Sequence, residues 1–311
     1  MFNKYEFQYK PINYLAMKTL IIVFSMLALV SCKSGSEKKE KEQSGSETTA
    51  GYSLELVWES DTLLRTPESV LFNRDLNLLY VANVNQNPWE KDGNGFISKM
   101  DLKGNIIELH WIEGLSGPKG MGVFENSLFI SDVDELVVAD IPTGEITDRV
   151  SFEGEPNVND ITVGEDGAVY ISGSASNKIY KYAGGQLEEI FSGTDERFNG
   201  LYWEKDRMLL ITSGSGQFIE IDWVTKEAKV ISENMGHGDG IAPVGDGGYL
   251  TSSWKGALFY VSPDGIATKL LDTEAQNINA ADLDYSIKDN LLFLPTFYDN
   301  RVKAYRLVKS N

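Results

Sequence analysis

Cys32 is the only cysteine in the chain, so no internal disulfide forms and the fold is held by its own core. Histidine is nearly as scarce, with two residues, which leaves too few imidazole and thiolate ligands for a typical zinc centre. No stretch keeps helical periodicity over three turns, which excludes a helical bundle. Positive charge is also short: 28 Lys and Arg against 46 Asp and Glu give a net charge of −18 and argue against nucleic-acid or anionic-lipid binding. No Gly-x-Ser-x-Gly segment follows a strand and opens a helix, so a serine hydrolase is not expected.

Residues 17–31, MKTLIIVFSMLALVS, are a lysine and an apolar run too short and wrongly flanked for a membrane span. They reach Cys32 through Leu29, Val30 and Ser31, the pattern of a lipoprotein cleavage site. Residues 1–32 are therefore expected to be a signal region cleaved before Cys32, with lipid added to that cysteine. An ordinary secretory signal with a chance cysteine is the alternative. The first 16 residues, with Tyr5, Phe7 and Tyr9, do not fit a signal, and translation starting at Met17 accounts for them. Residues 33–51 have no apolar side chain before Ala50 and read as a flexible polar tether. The expected location is the bacterial cell envelope, outside the cytoplasm, with the membrane reached through lipid on Cys32.

Residues 52–311 carry a repeat. A short hydrophobic segment recurs as PESVLF, PKGMGV, VNDITV, FNGLYW, GDGIAP and AADLDY. One position in it is occupied by Glu68, Lys119, Asn159, Asn199, Asp239 and Ala281, at steps of 51, 40, 40, 40 and 42 residues. Each repeat holds further runs rich in Val, Ile, Leu, Phe and Tyr, separated by turns such as Lys103-Gly104-Asn105 and Asp264-Gly265. This period predicts an all-β, six-bladed β-propeller. The last repeat is short by one outer strand, and the alternating segment from Tyr52 to Trp58 can supply it and close the ring. Trp58, Trp203 and Trp223 read as packing residues between blades. The excess length of the first repeat falls in Val84 to Phe96, which is expected to overhang the face bearing Glu68, as a pocket wall or a tolerated insertion.

Radial symmetry places the repeated position around one axis, and four of its six residues, Glu68, Asn159, Asn199 and Asp239, offer side-chain oxygens. Hard divalent cations take such donors, and calcium tolerates the irregular geometry of two carboxylates, two amides, waters and substrate. Calcium is the first choice, with magnesium, manganese or zinc as further candidates. The structural alternative is that these Asn and Asp residues make turn hydrogen bonds. Lys119 and Ala281 donate no metal oxygen; Lys119 could hold a substrate anion or pair with a carboxylate.

Over about Ser53 to Leu307 the chain resembles the senescence marker protein-30, gluconolactonase and luciferin-regenerating enzyme family of six-bladed propellers. The likeness rests on PESVLF at Glu68, the Asn159-Asp160 pair with the Gly164 to Gly167 turn, Asn199-Gly200-Leu201 followed by Trp203, and Asp239-Gly240. It departs at Ser69 and Val70, where the family often has glycine and proline, and at Asn157, where an arginine often stands. The resemblance implies that Glu68, two asparagines and Asp239 address a metal. It also implies metal-dependent hydrolysis of a lactone or related small ester, with a small-molecule substrate and Asp239 as the general base. Asp160 is the second catalytic candidate, with a structural role as its alternative. The rival reading is a non-catalytic envelope propeller that binds or scaffolds around a structural metal.

Overall fold

Each of the first five repeats forms four antiparallel strands joined in sequence order, because its apolar runs are strand-length and Gly, Asn and Asp turns separate them. A computed structural model of the protein describes residues 51–194 and 196–309; the signal region, Cys32 and residues 33–50 of the tether lie outside the described residues. Five sheets are built from residues 67–115, 118–151, 158–192, 198–232 and 238–272. The sixth combines three strands from the C-terminal end with Tyr52–Glu59, which pairs antiparallel along Val302–Lys309 from Tyr52↔Lys309 to Glu59↔Lys303. The protein is an all-β, six-bladed β-propeller closed by its N-terminal strand.

Burial follows position in the blade. Inner strands such as Pro67–Asn73 and second strands such as Ser127–Asp132 are buried almost throughout, because a neighbouring blade covers each face. Outer strands such as Ile146–Ser151 meet solvent. The core is divided into six apolar seams, one between each pair of adjacent blades. The seam joining the sixth blade to the first holds Val70, Leu79, Phe293 and Val302, with Trp58 packed on it. Trp58 donates its indole N–H to the Leu102 carbonyl at 2.9 Å and lies over Gly104, whose φ of +87° and lack of Cβ allow the contact. Trp203 and Trp223 pack in the seam between the third and fourth blades.

One irregularity recurs where function is expected. The ladder register shifts at the start of the first five inner strands, between Pro67 and Ser69, Pro118 and Met121, Val158 and Ile161, Phe198 and Leu201, and Gly238 and Ile241. Glu68, Lys119, Asn159, Asn199 and Asp239 each sit in such a bulge, which frees the residue from the ladder and re-aims its side chain. Glycine follows three of them, and at Gly200 a Cβ would meet the Asp239 carbonyl at 1.9 Å, so only glycine lets these inner strands come so close. The sixth blade departs from the pattern. Ala281 precedes its short inner strand, Asp284–Ser286, and an isolated parallel bridge from Ser69 to Asp282 takes the bulge's place.

Candidate functional site

The five bulges deliver their side chains to one cavity of about 330 Å³. Glu68, Asn159, Asn199, Asp239 and Lys119 all line it, and all are buried. The insertion of the first blade reaches the same place through Pro88 and Trp89, so that loop is a pocket wall. Asp92 and Asn94, farther along it, bond to each other in an exposed turn.

The amide groups have defined orientations. Asn199 donates Nδ2–H to Asp239 Oδ1 at 2.8 Å and to the Gly238 carbonyl at 3.1 Å. Asn159 donates Nδ2–H to Ser174 Oγ at 3.2 Å, and that hydroxyl donates onward to the Phe198 carbonyl. With both nitrogens tied to protein, the two Oδ1 atoms are the amide ends left for a ligand.

The carboxylates are incomplete. Glu68 Oε2 and Asp239 Oδ2 are buried and have no hydrogen-bond partner. Burial pushes the Glu68 carboxyl up, Lys119 opposes the rise and Asp282 adds to it. Burial also holds Asp239 well above the ordinary carboxylate range; the negative charges of Glu68 and Asp282 raise it further and the Asn199 amide offsets part. Two buried acids, Asp239 raised further by Glu68, are a costly arrangement that Lys119 offsets at Glu68 only. The donor set, two carboxylates and two amide carbonyls, fits a hard divalent ion better than zinc. Among the described residues no three His, Cys, Asp or Glu side chains cluster as a metal site, so any ion here relies on the amides.

Lys119 is 1% exposed and already engaged. Its Nζ donates to the Pro88 and Gly117 carbonyls, each at 2.7 Å, and lies 3.9 Å over the Trp89 ring. Burial pulls the ammonium's pKa down while Glu68 and Asp132 hold it up. Its direct contacts are carbonyls and an aromatic face, so it fastens the insertion over the cavity and adds a fixed positive charge to the floor.

Asp160 is not brought to this cavity. Its Oδ1 accepts the Ile161 N–H at 2.7 Å and its Oδ2 the Leu201 N–H at 2.6 Å, tying the third blade to the fourth. It lines a second cavity, of about 380 Å³, formed toward the far ends of the inner strands with Ser69, Arg74 and Asp282. His237 lies exposed at the first cavity with Nδ1 3.1 Å from the Ser213 carbonyl. Sequence reasoning missed Trp254, Phe297, Tyr298, Arg197 and Lys255, which complete the wall. They fall in loops outside the repeated hexapeptides, so the repeat that exposed the floor carried no signal for them.

By sequence, no family model matches the chain and no curated protein matches it significantly. By structure it is similar to a gluconolactonase from Xanthomonas campestris at 14% identity and a TM-score of 0.66, covering 82% of this chain and 89% of that one. A streptogramin B lyase matches at 15% identity and a TM-score of 0.61, over 83% of this chain and 98% of that one. An auxiliary nutrient binding protein from Bacteroides thetaiotaomicron matches at 12% identity and a TM-score of 0.63, over 78% and 69%. At such identities the shared property is the propeller fold.

Proposed function

We propose that the cavity binds a divalent cation, calcium first, and that the protein is a metal-dependent hydrolase of a lactone or related small ester. One observation carries the reading: Glu68 Oε2 and Asp239 Oδ2, buried and without partners, line the same cavity as two amides whose nitrogens are already bound. Glu68, Asn159, Asn199 and Asp239 would hold the ion. When bound, it supplies Lewis-acid polarisation of the substrate carbonyl. Asp239, its Oδ1 fixed by Asn199, takes the proton from the attacking water. The water oxygen bonds to the acyl carbon, the acyl C–O bond breaks, and the proton passes to the leaving alkoxide. Lys119 fastens the wall through Pro88 and Trp89 and supplies fixed positive charge. Similarity to gluconolactonases supports the hydrolase class through fold alone.

A binding propeller is the second reading. It is favoured by the Lys119 ammonium, which already offsets Glu68, and by the fold shared with a nutrient-binding protein. The deciding experiment is hydrolysis of a lactone and ester panel with added calcium, manganese or zinc, beside calorimetric cation binding. Turnover that needs the cation and is lost in Asp239→Ala supports the hydrolase; cation binding with no turnover of any substrate supports the second reading. We further propose attachment to the cell envelope through lipid on Cys32. A Cys32→Ser form that stays in the membrane fraction would refute that attachment.

A further inference from the structure

We propose that the cavity wall selects a flat aromatic substrate, so that, resting on the hydrolase reading above, the natural substrate is an aromatic lactone or ester that yields an aromatic carboxylate. The chain has six tryptophans, and four of them, Trp58, Trp111, Trp203 and Trp223, pack in the seams between blades. The remaining two, Trp89 and Trp254, belong to none of the six seams, and both line the cavity. Phe297 and Tyr298 are likewise absent from the seams and present at the cavity. Trp254, Phe297 and Tyr298 meet edge to face, with ring centroids 5.4 Å apart for Trp254 and Phe297, 5.9 Å for Trp254 and Tyr298, and 4.8 Å for Phe297 and Tyr298. Tyr298 is 62% exposed, although burying a ring of that size would stabilise the fold.

Backbone conformation gives an independent indication. Phe297 has φ of +44° and Arg197 φ of +49°, a left-handed region that bulky side chains rarely adopt. Hydrogen bonds at Thr296, including its N–H to the Arg301 carbonyl at 2.9 Å, hold the Phe297 turn in place. Phe297 and Arg197 both line the cavity, Phe297 at 3% exposure, so this backbone conformation is kept at two positions of its wall. Arg197 and Lys255 add positive charge to the mouth of a cavity in a protein of net charge −18. Aromatic faces with cations at the rim suit an aromatic ring ending in a carboxylate, the product of aromatic-lactone hydrolysis. A polyhydroxylated lactone would find its polar partners at Ser213, His237, Arg197 and Lys255, whereas Trp89, Trp254, Phe297 and Tyr298 offer ring faces and edges.

The test uses the full chain with added calcium or manganese. Hydrolysis of dihydrocoumarin, glucono-1,5-lactone and γ-butyrolactone is compared in wild type, Trp254→Leu and Tyr298→Ala, and calorimetry measures binding of 3-phenylpropanoate and gluconate. We expect dihydrocoumarin to have the highest kcat/KM. Each variant should lower it about tenfold and lower γ-butyrolactone hydrolysis much less. 3-Phenylpropanoate should bind, gluconate should not, and Lys255→Ala should weaken the former. Preference for glucono-1,5-lactone, with both variants affecting all lactones alike, overturns the inference and leaves the hydrolase reading intact. No hydrolysis, with Trp254-dependent 3-phenylpropanoate binding, removes the hydrolase and upholds the aromatic site. Absence of both removes both. If Trp254→Leu misfolds, the exposed Tyr298 still gives the answer.

Discussion

The cavity at the start of the inner strands and the one toward their far ends have volumes of about 330 and 380 Å³, and both are lined by acids. At the far end, Asp160 accepts two backbone N–H groups, Asp284 accepts those of Phe72 and Tyr285, and Asp282 accepts the Ser69 hydroxyl at 2.7 Å. Those carboxylates act as struts between neighbouring strands and blades. At the near end, Glu68 and Asp239 each keep a buried oxygen with nothing to accept from. The far cavity has four lining acids, Asp75, Asp160, Asp282 and Asp284, and the near one has two, yet it is hydrogen-bond satisfaction that separates the ends: satisfied carboxylates hold the ring together, while unsatisfied ones leave room for a ligand.

Mutation of one acid from each end is the sharpest way to break this comparison. Asp239→Ala should reduce turnover of any lactone the protein hydrolyses by roughly 10²–10⁴-fold, the usual worth of a general base, with folding retained by circular dichroism. Asp160→Ala should instead leave cation affinity in calorimetry unchanged. Denaturant unfolding should show it destabilised by about 1–3 kcal/mol, because the Ile161 and Leu201 N–H groups lose their acceptor. Equal effects of the two substitutions on cation binding would erase the distinction.

Two smaller effects sharpen it. Burial raises the folded-state pKa of Glu68 and Asp239, so the folded state without cation holds protons that the unfolded state releases. Their contribution to stability is fully present below the unfolded carboxylate pKa and is lost as pH rises through the raised folded values. Added calcium should therefore raise Tm more at pH 8 than at pH 5, with a stabilisation of about 2.7 kcal/mol at a concentration 100 times Kd. The same shift at both pH values would contradict the assignment. Lys119→Met removes a positive charge from the floor and should tighten calcium binding on the order of tenfold in calorimetry. Weaker binding would mean that fastening the insertion matters more than the charge.

The propeller and its closure are legible in the sequence because blades repeat, and each repeat writes the same apolar run about 40 residues apart. The floor of the candidate site is legible for the same reason, since one column of the repeat becomes one ring of side chains. Asp160 reads like a site residue through its place beside Asn159, yet successive residues in a bulged strand face different surroundings, and its carboxylate is taken by backbone. Trp89 and Trp254 look like the other tryptophans in sequence, and only the placement of their loops separates wall from seam.

The sequence by itself therefore determined the fold, the number of blades and the convergence of Glu68, Asn159, Asn199 and Asp239, because periodicity along a chain becomes symmetry around an axis. The tertiary structure alone decided which oxygens remain without partners, that Lys119 fastens a loop, and that four aromatics outside the seams line the cavity. Hydrogen-bond satisfaction and loop placement depend on contacts between residues far apart in the chain, and no local pattern records them.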